Sequence, residues 1–327
     1  MSAMKKRALV TGCCGFIGSN LVKALYSRGW IVEGVDDLSR GDLDAVFNVG
    51  PRTVPANFLD YFDATPPDKV LIINGDFTHR NVLSRVKSGI YDVVFHLAAN
   101  PSVPESVKLP VETHENNVFK TLGLFHACTG NVDKVVFASS AAVYGNLPSD
   151  ILYVNENLST RPTSPYGIQK LHAEHYASYL SSKQTSFTSL RIFNVFGPGQ
   201  QSGVISSWCQ NLRDGLPIII NGDGNQTRDF CYIDNVIDAF LVVEDSASKD
   251  YAVYNVGSGV SISLNDVAQH LKNHFPDVII EYACRREGDI VHSLADITKI
   301  NKDLNYNPKA QFLYGLNETL RWWEMYV

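Results

Sequence analysis

A chain of 327 residues and 36.2 kDa, with 45% hydrophobic and 19% charged residues, has the composition of a globular protein with a large core, which excludes a disordered chain. Its net charge of −6 and pI near 5.8 oppose a nucleic-acid platform, which needs a concentrated basic face; the densest basic cluster, Lys5-Lys6-Arg7, reads as a solvated chain start. No apolar run approaches the roughly 18 residues of a membrane span. The first apolar stretch, Ala8-Leu9-Val10, ends at Thr11-Gly12, so no secretory leader is expected. Cys13, Cys14, Cys128, Cys209, Cys231 and Cys284 are too sparse for a disulfide framework and include no Cys-x-x-Cys pair. A reduced, cytoplasmic protein without structural metal is the expectation.

In chain order, Ala8–Val10 reads as a first buried strand, and Leu21, Ala24 and Leu25 as one face of the helix after it. Ile31–Val35 is a second strand. Residues 41–69, with Pro51, Pro55, Pro66 and Pro67, break the rhythm and are expected to form an inserted loop with little regular structure. Val70–Ile73, Val93–Leu97, Val135–Ala138 and Leu190–Phe193 continue the series, with a helical pattern at Val118, Leu122 and Phe125. Strands alternating with helices predict a doubly wound, parallel Rossmann sheet. From about residue 196 the segments turn Gly-, Asn- and Asp-rich, which predicts a smaller, partly interleaved α/β substrate domain over 196–327 after a dinucleotide domain over 1–195. A strand near 253–256, at Tyr254-Asn255-Val256, is placed to return to the first sheet.

Between the first strand and helix stands Thr11-Gly12-Cys13-Cys14-Gly15-Phe16-Ile17-Gly18. Glycines spaced three apart permit a tight turn, a close approach of backbone to a pyrophosphate, and packing of helix on strand; the helix N-terminus then faces the anion. Asp36, ending the second strand, is placed to accept ribose hydroxyls. Its charge, and that of Asp37, repel a 2′-phosphate and favour NAD over NADP, with Arg40 the one residue that argues the other way. Asn74-Gly75-Asp76 offers a carboxylate for adenine.

Ser139-Ser140 ends a later strand, and Tyr166 and Lys170 follow in Ser164-Pro165-Tyr166-Gly167-Ile168-Gln169-Lys170. Four-residue spacing puts the phenol and the amine on one helix face. An ammonium beside a phenol is expected to lower its pKa so that it serves as a base.

With these motifs in this order, the sequence resembles the extended short-chain dehydrogenase/reductases, specifically the nucleotide-sugar epimerases/dehydratases. Further matches are His96-Leu97-Ala98-Ala99, Val143-Tyr144-Gly145, Leu190-Arg191-Ile192-Phe193-Asn194, Thr227-Arg228-Asp229-Phe230, Asn255-Val256-Gly257 and Arg286-Glu287-Gly288-Asp289. The resemblance implies Tyr166 as catalytic base, Lys170 as its partner on the nicotinamide ribose, and Ser140 on the sugar's reacting oxygen. It implies cofactor contacts from Phe16, Ile17, Phe77, Leu97, Ala98 and Ala99, and also from Asn117, Ser139 and Phe193. Asn194, Arg228 and Arg286 match contacts to the substrate diphosphate, where guanidiniums give planar, paired recognition.

The dehydratases of this family carry an Asp-Glu pair after the catalytic hydroxyl; here stand Ala141 and Ala142, so the resemblance implies a 4-epimerase of a UDP-hexose that uses bound NAD without net redox. The segment Asn100-Pro101-Ser102-Val103-Pro104 looks like that of members handling N-acetylated sugars, with Ser102 near the sugar. Ser293, seven residues beyond Arg286, is small where enzymes confined to glucose and galactose carry bulk. UDP-N-acetylglucosamine and its galactose epimer are the expected substrates, with UDP-glucose and UDP-galactose as a wider range. A UDP-glucuronate 4-epimerase or decarboxylase, and a catalytically silent NAD-binding sensor or scaffold, stay open as alternatives. A homodimer is implied, through helices near 112–128 and 164–183 with Phe119, Leu171 and Tyr179, although these positions also suit a core. Cys13 and Cys14 in the glycine loop depart from the family's smaller residues and read as inert space-fillers, although a thiol at a helix start is open to acidification and oxidation.

Overall fold

The computed structural model describes residues 5–61, 70–148, 151–285 and 292–325. In chain order the elements are β1 (Arg7–Thr11), α1 (Phe16–Ser27), β2 (Ile31–Asp36), β3 (Arg52–Pro55), β4 (Val70–Asn74), α2 (Arg80–Lys87), β5 (Val93–His96), α3 (Val103–Lys108), α4 (Pro110–His114) and α5 (Lys120–Cys128). Then come β6 (Lys134–Ser140), α6 (Pro165–Leu180), β7 (Ser186–Ile192), β8 (Asn194–Phe196), α7 (Val204–Arg213), β9 (Ile218–Asn221), β10 (Thr227–Tyr232) and α8 (Ile233–Asp245). The chain continues with β11 (Ala252–Val256), β12 (Ser261–Ser263), α9 (Leu264–His274), β13 (Ile280–Ala283), α10 (Thr298–Leu304) and α11 (Phe312–Met325).

Eight strands form one sheet in the order β11-β7-β6-β5-β1-β2-β4-β3. The pairings of β1 with β2 and β5, of β4 with β2 and β3, and of β5 with β6 are all parallel. Parallel sheets are covered on both faces, so their strands read as unbroken apolar runs, and every residue of β2 and β5 is buried. The chain winds outward from β1 through β2 and β4 and then returns to β5 on the other side of β1. That reversal places the ligand crevice of a doubly wound sheet at the carboxyl ends of β1 and β5. The strand expected near 253–256 is β11, next to β7.

Glu33 interrupts the apolar run of β2, fully buried, and the fold compensates its charge. Arg85 reaches it at 2.7 and 3.1 Å, Arg7 at 3.0 Å, and the Tyr91 hydroxyl donates to it at 2.6 Å. Beneath the sheet, Leu9, Val35, Ile73, Val94, Leu124, Phe125, Val135 and Phe187 share one apolar cluster.

The expectation of an irregular loop over 41–69 is corrected where the segment is described. Leu43–Val49 and Ala56–Tyr61 are 3₁₀ turns, and Arg52–Pro55 is β3, the edge strand on β4. Only Val54 of this strand faces the core, and Pro55 sits where no further neighbour needs its missing N–H. A four-residue edge strand with one buried side chain leaves too weak a pattern to read beside four prolines.

Contacts divide the chain into two units: residues 1–145, 160–191 and 239–254 in one, and 146–159, 192–238 and 255–327 in the other. The division falls at 191/192 with exchanges at 146–159 and 239–254, where the sequence had suggested 195/196. Within the second unit β10 pairs in parallel with β8 and antiparallel with β12, and β9 pairs with β13. Among the described residues no helix is long and apolar enough to cross a membrane.

Candidate cofactor and catalytic site

The glycine loop closes tightly. Gly12 has φ +67°, and a Cβ there would stand 2.8 Å from the Ala98 nitrogen; one on Gly18 would stand 2.0 Å from the Gly12 oxygen. The Gly15 N–H donates to Gly12 O at 3.1 Å, and Gly15 then caps α1 without bringing a side chain. Phe16-Ile17-Gly18, the first turn, carries no acidic residue, so the amide dipoles at this end meet no anion of their own. Thr11 ties the loop to the end of β5: its hydroxyl oxygen accepts from Leu97 N at 3.1 Å and from Ala98 N at 3.2 Å. Leu97, Ala98 and Ala99 are half-buried there.

Asp36 ends β2 with both carboxylate oxygens oriented, one accepting from Cys14 N at 2.9 Å and the other from Leu38 N at 2.9 Å. Burial pushes its pKa up, and those two N–H groups work against the shift. Asp76 differs. Burial would raise it, but Lys120 at 2.7 Å and the Thr78 N–H and hydroxyl hold it below the usual carboxylate range. Phe77 packs edge-on against the His96 ring. Asn117, on the π turn Glu115–Phe119, is buried with its amide engaged: it accepts from Asn100 N at 2.7 Å and donates to Asn100 O and Gln169 Oε1. It holds the 97–100 loop in place.

Ser140, Tyr166 and Lys170 come together at the end of β6 and the start of α6. Ser164 caps α6 by accepting from Gly167 N at 3.1 Å, and Pro165 opens its first turn. Gly167 permits close packing on the turn Ala141–Tyr144, since a Cβ there would lie 2.5 Å from Ala142 O. Ser140 Oγ accepts from Ala142 N at 3.1 Å, and the Ser140 side chain is hydrogen-bonded to the Tyr166 phenol. Burial drives that phenol up to about 12, and the bond to Ser140 pulls it down in part.

The expectation that Lys170 lowers the phenol is thus corrected for the protein alone. Its Nζ donates to Ala138 O at 2.8 Å, lies 4.8 Å from the centre of the Phe137 ring, and stands 5.8 Å from that of Tyr166. Desolvation also draws Lys170 itself down to about 7, with the Glu174 charge opposing. An amine whose charged form is disfavoured by burial, and which is aimed at a carbonyl, does little for a neighbouring phenol.

Sequence reasoning missed the role of Glu174 and Arg191 behind this trio. Ser139, expected at the cofactor, donates its hydroxyl to Glu174 Oε1 at 2.5 Å. Glu174 lies one turn beyond Lys170 and takes Arg191 in a fork, Nη2 to Oε2 at 2.7 Å and Nε to Oε1 at 3.0 Å. Arg191 in turn covers the Tyr144 ring at 4.8 Å. The available signal was the third member of an i, i+4, i+8 series, Tyr166-Lys170-Glu174, on a face otherwise buried. His96, also buried, bonds Thr11 Oγ1 at 2.7 Å and Thr121 Oγ1 at 2.9 Å; burial and the Lys170 charge pull it down to about 3, so it is neutral.

Ser102 is half-buried and caps α3, accepting from Glu105 N at 3.3 Å. In the second unit, buried Phe193 donates its N–H to Val256 O at 2.9 Å, and exposed Asn194 begins β8, whose first pairing is with Phe230. Arg228 stands half-buried on β10, its Nη1 donating to Thr227 O at 2.9 Å. Next to it, Asp229 is a fully buried hub that accepts from Ser258 N, Ser258 Oγ, Gly259 N and Ala295 N. With the His292–Thr227 bridge, Asp229 anchors the irregular segment that carries half-buried Ser293. Arg286 and its motif lie outside the described residues.

Comparison with known proteins identifies the family. The family described as NAD dependent epimerase/dehydratase matches residues 8–257. The UDP-glucose 4-epimerase of Mycolicibacterium smegmatis is 33% identical over 323 residues, 96% of this chain and 97% of that one. The solved structure of the UDP-N-acetylglucosamine 4-epimerase of Methanobrevibacter ruminantium M1, in complex with UDP-N-acetylmuramic acid, has a TM-score of 0.86 at 33% identity and covers 99% of this chain and 100% of its own. The UDP-glucuronic acid 4-epimerase of Bacillus cereus, in complex with UDP-glucuronic acid and NAD, has a TM-score of 0.84 at 28% identity over 98% of this chain and 100% of its own.

Proposed function

Since this chain belongs to the NAD-dependent epimerase/dehydratase family and NAD is its cofactor, we propose that it interconverts the C4 epimers of a UDP-hexose through a transient 4-keto sugar. UDP-N-acetylglucosamine and UDP-N-acetylgalactosamine are the first substrates, UDP-glucose and UDP-galactose the wider range. One observation carries the reading: the Ser140–Tyr166 hydroxyl pair beside buried Lys170 is followed by Ala141 and Ala142. Elimination of water needs an acid and a base at that turn, and methyl groups move no proton.

The residues present fit NAD. Gly12 and Gly18 pack so close to the backbone of Ala98 and of Gly12 that no side chain fits, which keeps the turn tight and its amides at the surface of the loop; the α1 N-terminus supports a pyrophosphate, and Asp36 presents an oriented carboxylate to ribose hydroxyls. When bound, NAD supplies a hydride acceptor that returns the hydride, and a positive ring that favours the phenolate. Tyr166 takes the proton of the sugar's 4-hydroxyl and later gives one back. Ser140 holds that same oxygen, and Lys170 orients the ribose. Asn194, Arg228 and Arg286 match the family's contacts to the substrate diphosphate, where guanidiniums give planar, paired recognition.

Purified protein incubated with UDP-N-acetylglucosamine, UDP-glucose and UDP-glucuronate, without added NAD, is expected to yield C4 epimers and no accumulating NADH. Stoichiometric NADH would make it a dehydrogenase, turnover of the glucuronate alone would move it to that branch, and inertness toward all three would leave an NAD-binding protein without this chemistry.

Ser293 sets the substrate range in this reading. Ser293→Tyr fills the space of an acetamido group, and overpacking costs about 1–3 kcal/mol. A loss of about 5- to 150-fold in kcat/KM is expected for the N-acetylated pair alone; equal losses for the glucose pair would reject the gate.

A second copy of the chain is the proposed partner. Of the positions that the sequence had left between core and interface, Phe119 and Tyr179 are 66% and 83% exposed and Leu171 is half-buried.

A further inference from the structure

Cys13 and Cys14 take no part in the proposed chemistry, yet they stand together with Asp36. Among the described residues, this is the one group of three potential metal donors, with one ligand atom from each lying within 4.8 Å of the others. The two sulfurs are 3.8 Å apart. Two thiolates bound at about 2.3 Å to a tetrahedral cation are separated by about 3.8 Å, so the pair already has the spacing of a chelate. Asp36 is oriented by the Cys14 and Leu38 N–H groups, as carboxylate ligands are by their outer partners.

Two neighbouring glycines leave room for the donors. A Cβ on Gly34 would stand 2.5 Å from Cys13 Sγ, and one on Gly41 would stand 2.8 Å from both Asp36 Oδ1 and Cys14 Cβ. The other cysteines offer no comparable pair: Cys128, Cys209 and Cys231 are buried singly among the described residues, and Cys284 is exposed.

We propose that Cys13, Cys14 and Asp36 form a site for a thiophilic divalent cation whose occupation excludes the dinucleotide. Paired thiolates select soft ions such as Cd²⁺ or Zn²⁺ over Mg²⁺ or Ca²⁺, a single carboxylate is acceptable beside them, and solvent completes the shell. On binding, two S–H bonds break, two metal–sulfur bonds form, and two protons pass to solvent; nothing is oxidised. Competition follows because the same carboxylate is assigned to the ribose hydroxyls, a step that rests on the proposed function.

Without a cation the Cys13 thiol is inert, as the space-filling reading has it, rather than acidified at the helix start. Burial, then Cys14 and the Asp36 charge, push the Cys13 thiol well up, which protects it from oxidants and alkylating agents that need the thiolate. A cation reverses that balance by replacing the proton. Both sulfurs are buried, so capture is expected to be slow and to follow cofactor release.

The test titrates CdCl₂ into the protein as purified and follows thiolate-to-cadmium charge-transfer absorption together with NAD in the ultrafiltrate. One Cd²⁺ per chain, two thiols protected from titration and matching release of NAD are expected, with excess NAD slowing uptake. Cys13→Ala and Cys14→Ala should each weaken the cation's effect at least tenfold, and Cys13→Ser serves if the alanine variants fold poorly; Cys284→Ser should change nothing. Absorption that persists in a Cys13→Ala/Cys14→Ala variant overturns the site, and bound Cd²⁺ with NAD fully retained overturns the competition. Displacement of NAD in a protein that epimerises no sugar supports the cation site and removes only the activity.

Discussion

Tyr166→Phe is expected to lower kcat by about 10²- to 10⁴-fold, while bound NAD and the affinity for UDP-sugar change little. The substitution removes the hydroxyl that bonds Ser140 and keeps the ring whose centre lies 5.8 Å from Lys170 Nζ. The pH dependence sharpens the expectation. With the phenol held up to about 12, the phenolate is scarce at neutral pH, and its population rises about tenfold per pH unit below the pKa. Turnover of the parent protein should therefore climb with pH on the alkaline side, from wherever the bound cofactor's positive charge resets the phenol, and that climb should vanish in Tyr166→Phe. Steady-state rates across a pH series, with NAD content measured in each sample, decide it. An unchanged rate in the variant, or the same alkaline limb, would take Tyr166 out of the mechanism. Ser140→Ala should shift the limb to higher pH, because the bond from Ser140 is what draws the phenol down.

How much of this was legible beforehand depended on whether a property lives in spacing or in packing. The glycine loop, Asp36 and the Tyr166–Lys170 pair are local patterns on one turn or one helix face, and the fold placed each where spacing required. The central strands were legible because burial on both faces leaves unbroken apolar runs, as in Val70–Ile73. β3 was not, because an edge strand buries one residue in four. The direction of the phenol's shift in the protein without its cofactor was not legible either, since it turns on burial and on the aim of the Lys170 amine at Ala138 O and over Phe137, which no spacing encodes. Ser139 and Glu174 are separated by 35 positions, so their hydrogen bond was visible only once β6 and α6 were packed together.

The largest effect on stability is expected at that contact. Glu174→Ala strands Arg191, whose side chain is 7% exposed, as a buried and uncompensated charge, and breaking such a pair from one side costs about 3–5 kcal/mol. The Ser139 hydroxyl loses its acceptor in the same step. Denaturant midpoints should fall accordingly, whereas Glu174→Leu combined with Arg191→Met should recover much of the loss, because the pair as a whole barely repays its desolvation. Equal losses in the single and the double variant would mean that packing, rather than the stranded charge, sets the cost. Glu174→Gln separates the fold from the chemistry. The amide keeps the shape and a bond to Arg191 but removes the charge that holds Lys170 up, so the amine, already near 7, moves lower. The charged ammonium exists below its pKa, so the pH range in which Lys170 is cationic retreats to more acid values, and the part of the rate that depends on it retreats too. Stability moves in the opposite sense. A lysine at about 7 in the fold against 10.5 unfolded makes the unfolded chain the stronger proton binder between those values, so its penalty is complete below 7 and is relieved as pH rises toward 10.5. A Glu174→Gln protein whose rate profile shifts to acid while its stability gains more on alkalinisation than the parent's would fit Glu174 as the electrostatic support of Lys170; an unshifted profile would reduce it to a strut for Arg191.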